Sequence, residues 1–389
     1  MTRALISGAS VAGPALALQL ADRGWEVTVV ERADRLRDEG QNIDVRGAAR
    51  EMLRRTGIED DVRAAGTGEL GTQFVDARGR ALATFPAGRS DTGGATAEVE
   101  ILRGELSRIL YERTRDRVEY VFGNRIARLD DRADGVTVGF AHGPDRTFDV
   151  VVVAEGLRSR TRALVFPTGV DVRHLGAYIT YLTLPRTGTD TRWWRWYNAP
   201  GARSVTLRPD NVGTARATLT FLSDVRGLEE LDADAQALVL RRTFADAGWE
   251  TPRILAGLDG GAFYFDTVGQ VRAEAWSRGR VALVGDAAYC PSPVSGMGTS
   301  LALVGAYVLG GELATQPDHR RAFARYEEIM RPYAARAQKL PPGTPRIANP
   351  RSRAGVAAFR GALRVASRLS GLQERLVSPP ADALELPAY

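Results

Sequence analysis

Cysteine occurs once in the 389 residues, at Cys290. An internal disulfide is therefore impossible, and a cysteine-rich metal site is excluded. Histidine is nearly as scarce: His142, His174 and His319 stand far apart and in no ligand spacing. No zinc or iron centre is expected. Lysine is represented by Lys339 alone, so the formal charge of +5 is carried almost wholly by arginine. The arginines are spread among acids rather than clustered with aromatics, which argues against a nucleic-acid face. No apolar run reaches the ~18–20 residues needed to span a bilayer. The opening "MTRALISGAS" runs straight into a strand-like segment, without the charged, apolar and cleavage regions of a secretory leader. A cytoplasmic protein with no membrane partner is expected.

What is present is ordinary for a soluble globular enzyme: 44% hydrophobic and 25% charged residues, in a chain long enough for two domains or one large composite. "RALIS", "GASVAGP", "ALALQLADRG" and "WEVTVVER" read as strand, Gly turn, helix and strand. Ala15, Leu16, Leu18 and Leu20 run along the helix, and Gly24 follows it as a cap. "VTVVE" is short and β-branched, as a strand buried on both faces requires. Such a unit predicts a doubly wound domain. "AAREMLRRTGI" predicts a helix ending at Gly57, "EILRGELSRILYERT" another, and "DVVVVAEG" a buried strand. Over 174–223 the pattern changes to short alternating runs with turn punctuation, which predicts an antiparallel sheet. The segment 228–257 is expected to be helical and 262–268 to return to strand. A long polar helix, the break "LPPGTPRIANPR" and an amphipathic helix over 354–372 complete the chain. That last helix braces the two domains or pairs with a partner. There is no internal repeat.

Three motifs carry the chemistry. In Gly8-Ala9-Ser10-Val11-Ala12-Gly13, the first Gly suits a tight turn, a small middle residue lets backbone approach a pyrophosphate, and the last Gly allows close helix–strand packing. Ser10 replaces the usual middle Gly; it is small and can donate its hydroxyl. The anion would rest on the helix N-terminus. Glu31, 23 residues after Gly8 at the end of the second strand, suits ribose hydroxyls and would repel a 2′-phosphate. Arg32 beside it is grouped with the cofactor-binding residues. The second motif is "DVVVVAEGLRSRTR", where a buried strand ends at Glu155-Gly156 with Ser159 and Arg162 downstream. The third is "RVALVGDAAYCPSPVSGMGT", where a strand ends at Gly285-Asp286 before a Pro- and Gly-rich entry to a helix.

Together, in this order, the three motifs resemble the FAD-dependent group A aromatic hydroxylases, the p-hydroxybenzoate hydroxylase family, over about residues 1–340. The late part is most similar to tetracycline-inactivating and polyketide-tailoring monooxygenases, and so is the tail "LQERLVSPPADALELPAY". The resemblance implies an α/β fold: a Rossmann-like FAD-binding domain of the GR2 type over 1–71, 97–168 and 265–330. An antiparallel-sheet substrate domain over 72–96 and 169–264 is inserted in it, and a C-terminal helical segment covers 331–389. It implies that Asp286 binds the ribityl chain of FAD and that Pro293, Gly296, Met297 and Gly298 pass close under the flavin ring. The helix starting near Thr299 would aim its positive end at that ring. Arg103 matches the family arginine that reaches FAD, and Arg46 is placed near the flavin, the reductant or the substrate. Glu155 stands where the family has Asp, and Ser300 where many members have Asn.

The implied reaction is reduction of FAD by NADPH or NADH as a transient co-substrate. O2 then adds to give a flavin hydroperoxide, which hydroxylates an aromatic or polyketide-like phenol or enol, in antibiotic biosynthesis or inactivation. The cofactor does the chemistry, so no catalytic side chain is assigned. Tyr178, Tyr181, Trp193, Trp194, Trp196, Phe221 and Phe265 are candidates for a flat aromatic pocket, each also compatible with sheet core. Other readings stay open: an FAD-dependent dehydrogenase or reductase of the same fold, or a non-catalytic FAD- or substrate-binding protein. "WRWYNAP" resembles the Trp-x-Trp of flavin halogenases but lacks the following Ile-Pro. Cys290 is read as a small buried filler. A monomer or homodimer is expected.

Overall fold

The computed structural model describes residues 2–37, 40–87, 99–260, 262–373 and 384–389. The strand Arg3–Ser7 lies at the middle of a six-stranded sheet, paired in parallel with Val150–Val153 on one side and Glu26–Val30 on the other. Val281–Leu283 and Glu119–Val121 continue the parallel sheet outward, and Ser277–Arg278 closes one edge antiparallel. These strands are short, apolar and rich in Val because both faces are covered, by the helix Ala12–Ala21 and by the antiparallel strands Gly135–Phe140 and Arg146–Phe148; Val150, Val151, Val152 and Val153 are all buried. The helix Ala12–Ala21 packs on one side against the long helix Gly298–Thr315, which is buried from Ser300 through Leu313. An apolar helix with no polar face is stable only inside a core, and here it lies between Ala12–Ala21 and the helix His319–Gln338. A three-stranded antiparallel sheet and the two-stranded pair Asn42–Asp44 with Glu100–Leu102 flank this unit.

The second unit is a seven-stranded sheet, in the spatial order Phe263–Ala273, Val170–Pro185, Thr214–Leu222, Arg203–Pro209, Trp194–Ala199, Gly71–Val75, Ala81–Pro86. It is antiparallel except where Trp194–Ala199 meets Gly71–Val75 in parallel. Its two faces differ in chemistry, as period-two alternation requires. One face presents Tyr178, Leu182, Val205, Leu207, Ala217, Leu219 and Phe221 to the helices Ala233–Phe244 and Thr251–Ala256, forming a separate apolar core. The other carries Tyr181, Thr183, Trp194, Trp196, Thr206, Arg208, Thr218 and Tyr264 toward the first unit. The helix Arg353–Gln373 lies on Ala81–Pro86 and Trp194–Ala199, with Phe359 edge-on to Phe74 at 6.2 Å. It braces the sheet unit. The tail returns to the first unit, where the Tyr389 hydroxyl donates to Glu312 Oε1 at 2.7 Å.

Two expected boundaries need correction. The division between 264 and 265 falls inside Phe263–Ala273, which is paired along most of its length with Val170–Pro185. The division between 330 and 331 falls inside His319–Gln338, a continuous helix that passes through Pro332. Its buried face of Phe323, Tyr326, Met330, Tyr333 and Ala337 holds it together across the lost backbone bond. Composition changes at both places, but the elements do not stop there. Among the described residues no helix is long and apolar enough to cross a membrane. Nor do they contain a group of three or more His, Cys, Asp or Glu placed to hold a metal.

Candidate active site

Strand order alone brings the three motifs together. Arg3–Ser7, Val150–Val153 and Val281–Leu283 are parallel neighbours, so the segments following each emerge side by side at one edge of the sheet. That edge is where open α/β sheets bind ligands.

The first segment is fixed by close approach. A Cβ on Gly8, whose φ is +113°, would stand 2.5 Å from the Ala154 carbonyl oxygen, and one on Gly13 would stand 1.8 Å from the Gly8 oxygen. No larger residue fits either position. The helix Ala12–Ala21 has no acid in its first turn, which leaves its positive end for an anion. Ser10 does not point away: its Oγ accepts from Arg103 Nη1 at 2.8 Å, so Arg103, at the head of its own helix, belongs to this wall. Glu31 is 6% exposed. Its two oxygens accept from the Ala9 and Ala33 backbone N–H groups at 2.9 and 3.0 Å, so it braces the glycine turn as well as lining the cavity.

The second segment departs from expectation. The Glu155 carboxylate accepts from the hydroxyls of Ser7, Ser159 and Thr161 and from the Thr161 N–H. Its longer arm is spent on its own chain and locks the loop to the first strand at the cavity wall. Arg162 does similar work across segments. It donates to Leu157 O at 2.8 Å and Ala287 O at 3.1 Å, binding the loop of the second motif to the turn of the third.

Asp286 opens the short helix Asp286–Tyr289 after Gly285, whose φ is +66°. Removal from water pushes its carboxyl up, opposed in part by a hydrogen bond from the Cys290 thiol. Among the described residues no cation pairs with it. A carboxylate in a cavity wall without a strong donor needs one, and a polyhydroxyl chain is a group that would supply it. Beyond it the turn Pro293–Ser295 ends at Gly296 in the left-handed region, φ +65°, with open space where a Cβ would stand. Met297, Gly298 and Thr299 then lead into the long helix, which also has no acid in its first turn. Ser300 is fully buried; its Oγ takes the Arg46 N–H at 3.4 Å, seating Arg46 in the cavity wall with Asp44 3.3 Å from its guanidinium. The glycine cradle, the unpaired Asp286 and the acid-free helix ends fit a dinucleotide with a polyol linker, as FAD has.

One cavity of about 1710 Å³ runs from the glycine turn to the second sheet. Of the first motif, Gly8, Ser10, Val11 and Ala12 line it with Glu31, Arg32, Arg46 and Arg103. Glu155, Gly156, Asp286, Pro293 and Gly296 through Thr299 do so too. Gly13 and Gly285 stand behind the wall and act through packing. Among the aromatic candidates Tyr181, Trp194, Trp196 and Phe265 line it, but Tyr178 and Phe221 do not. They stack on one another at 5.5 Å in the apolar core of the opposite sheet face. Phe265 also stacks on Tyr178, at 5.4 Å. Tyr178 and Tyr181 are an odd number of residues apart on one strand, which forces opposite faces. Sequence reasoning missed Tyr264, Asp266 and Arg208. The first two are two apart in "AFYFDTV", a spacing that marks a shared face. Nothing local signals Arg208, whose guanidinium lies 4.3 Å over the Trp194 ring.

A family described as FAD binding domain matches residues 1–339. A flavin-dependent monooxygenase from an unknown prokaryotic organism is 40% identical over 334 residues, spanning 85% of this chain and 86% of its own length. The crystal structure of tetracycline destructase Tet(51) superposes with a TM-score of 0.82 at 30% identity. That of tetracycline destructase Tet(55) does so with 0.81 at 34%. Each covers 100% of this chain and 99% of its own.

Proposed function

The chain belongs to the FAD binding domain family as a flavin-dependent monooxygenase of the aromatic-hydroxylase type, and from that premise we propose that it uses NAD(P)H and O2 to hydroxylate a polycyclic phenol or enol. The observation that carries this reading is the single cavity joining three strand-end segments to an aromatic sheet face. The glycine turn, the N-terminus of Ala12–Ala21 and Arg103 would hold the pyrophosphate, Glu31 the ribose and Asp286 the ribityl hydroxyls. The chemistry a bound FAD supplies is electron transfer from NAD(P)H to O2, with one oxygen atom delivered to the substrate. The protein's part is placement. Gly296 through Gly298 bring backbone to the ring, and the N-terminus of Gly298–Thr315 favours negative charge beside it. Trp194, Trp196, Tyr181 and Tyr264 form a flat wall that excludes water and orients a planar substrate. Likeness to tetracycline destructases supports a fused-ring substrate.

The purified protein is expected to carry FAD and to oxidise NAD(P)H faster when a fused-ring phenol such as tetracycline or a hydroxyanthraquinone is added. The product should be one oxygen atom heavier by mass spectrometry. Flavin-bound protein that consumes NAD(P)H with no oxygenated product across such a panel would favour a dehydrogenase instead.

A further inference from the structure

Tyr264 and Asp266 share the cavity face of the edge strand Phe263–Ala273 and pair in register with Tyr181 and Ile179. The Asp266 carboxylate is 3% exposed and closely held. Its Oδ1 accepts from Arg158 Nε at 2.9 Å, from Arg158 Nη2 at 2.6 Å and from the Thr267 N–H at 2.6 Å. Its Oδ2 accepts from the Tyr264 hydroxyl. Glu229 Oε1 lies 3.4 Å from the same Arg158 Nη2 and adds a second acid to the pair. A carboxylate paired with a guanidinium can only accept, so the Tyr264 proton is committed to Asp266. Its ring lies nearly parallel to that of Tyr181, with centroids 6.3 Å apart and an interplanar angle of 18°. Yet Tyr264 is 52% exposed on the cavity side of the sheet.

We propose that Tyr264 determines specificity by presenting an acceptor-only oxygen to the cavity, so that the substrate must donate a hydrogen bond from its own neutral hydroxyl or N–H at that point. This rests on reading the cavity as a hydroxylase substrate site. A free tyrosine adapts, donating to a carbonyl or accepting from a hydroxyl. Locked on Asp266 it does only the second. An ether, carbonyl, carboxylate or phenolate placed there sets lone pairs against lone pairs. The substrate group at Tyr264 is thus an un-ionised phenol, enol or amide N–H, used for orientation.

The test uses FAD-loaded protein without reductant, titrated with a naphthol and with the matching methoxynaphthalene while the flavin absorption band is followed. The naphthol is expected to bind about tenfold tighter, the equivalent of one good hydrogen bond. Tyr264→Phe should erase that preference while leaving flavin content unchanged. Asp266→Asn, whose amide can donate to the phenol and free its proton, should narrow or reverse it. Equal binding of both compounds by the wild type, or a preference intact in Tyr264→Phe, overturns the inference alone. Binding of neither overturns the aromatic-substrate reading, and this one with it.

Discussion

At the scale of single residues, the decisive feature is a carboxylate left without a donor of comparable strength. Asp286 has only the Cys290 thiol against it, whereas the other acids of the wall are satisfied: Glu31 by two backbone N–H groups, Glu155 by three hydroxyls and an N–H. An unsatisfied carboxylate in a cavity wall calls for a donor that the chain itself does not supply. Asp286→Ala should therefore weaken FAD binding by about 1.5–3 kcal/mol, the range for hydrogen bonds to a charged group, read by equilibrium dialysis of the refolded apoprotein. An unchanged dissociation constant would remove Asp286 from the cofactor site. The sequence placed Glu155 and Asp286 in equivalent positions, each closing a strand. It could not distinguish them, because their difference lies in Ser7 and Thr161, which reach Glu155 from a neighbouring strand and the following helix.

At the scale of elements, helix-to-helix distance is set by glycine. In Gly298–Thr315, a Cβ on Gly310 would meet Gln19 Cβ at 2.5 Å, and neither atom is the end of a flexible arm. Gly310→Ala should push this helix from Ala12–Ala21, at a cost of roughly 1–3 kcal/mol, with flavin bound less tightly because both helices begin at the cavity. Gly361 serves as the control, since nothing lies within 4 Å of its Cβ position in Arg353–Gln373. Gly361→Ala should be neutral or stabilising by up to about 1 kcal/mol. Chemical unfolding of both variants checks the pair; equal stabilities would refute the packing argument. The sheet elements were legible as strands, but their facing was not. Tyr178 and Phe221 look as suitable for a pocket as Tyr181 in composition. Only the helices Ala233–Phe244 and Thr251–Ala256, covering one face, decide which side is core.

At the scale of the whole molecule, the two units are joined by a buried charge cluster. Arg208, from the seven-stranded sheet, donates to Glu69 at 2.9 and 3.2 Å and to Glu100 at 2.6 Å, with Thr67 completing Glu100. Asp44 adds its charge from the nucleotide unit. Burial pushes Glu69 from 4.5 up to about 8, Arg208 opposing the shift and Glu100 adding to it; burial raises Glu100 as well. The folded state thus binds more protons than the unfolded chain between these values, so stability falls as pH rises through that window. The thermal midpoint of the wild type should drop from the acid to the alkaline end. Glu69→Gln, neutral throughout, should show a shallower slope. An identical slope in the variant would show that Glu69 keeps an ordinary affinity for its proton.

The sequence by itself determined the strand–turn–helix units, the positions that admit only glycine, and the order of three cavity-lining segments, because backbone geometry and β-branched runs are local properties. Tertiary structure decided what depends on neighbours far along the chain. It set which acid is held by its neighbours and which is left without a strong donor, which aromatic side of the sheet is wall and which is core, and the seam of Arg208 with Glu69 and Glu100. Pairing partners and burial arise only when strands from distant segments lie side by side, and no local pattern encodes them.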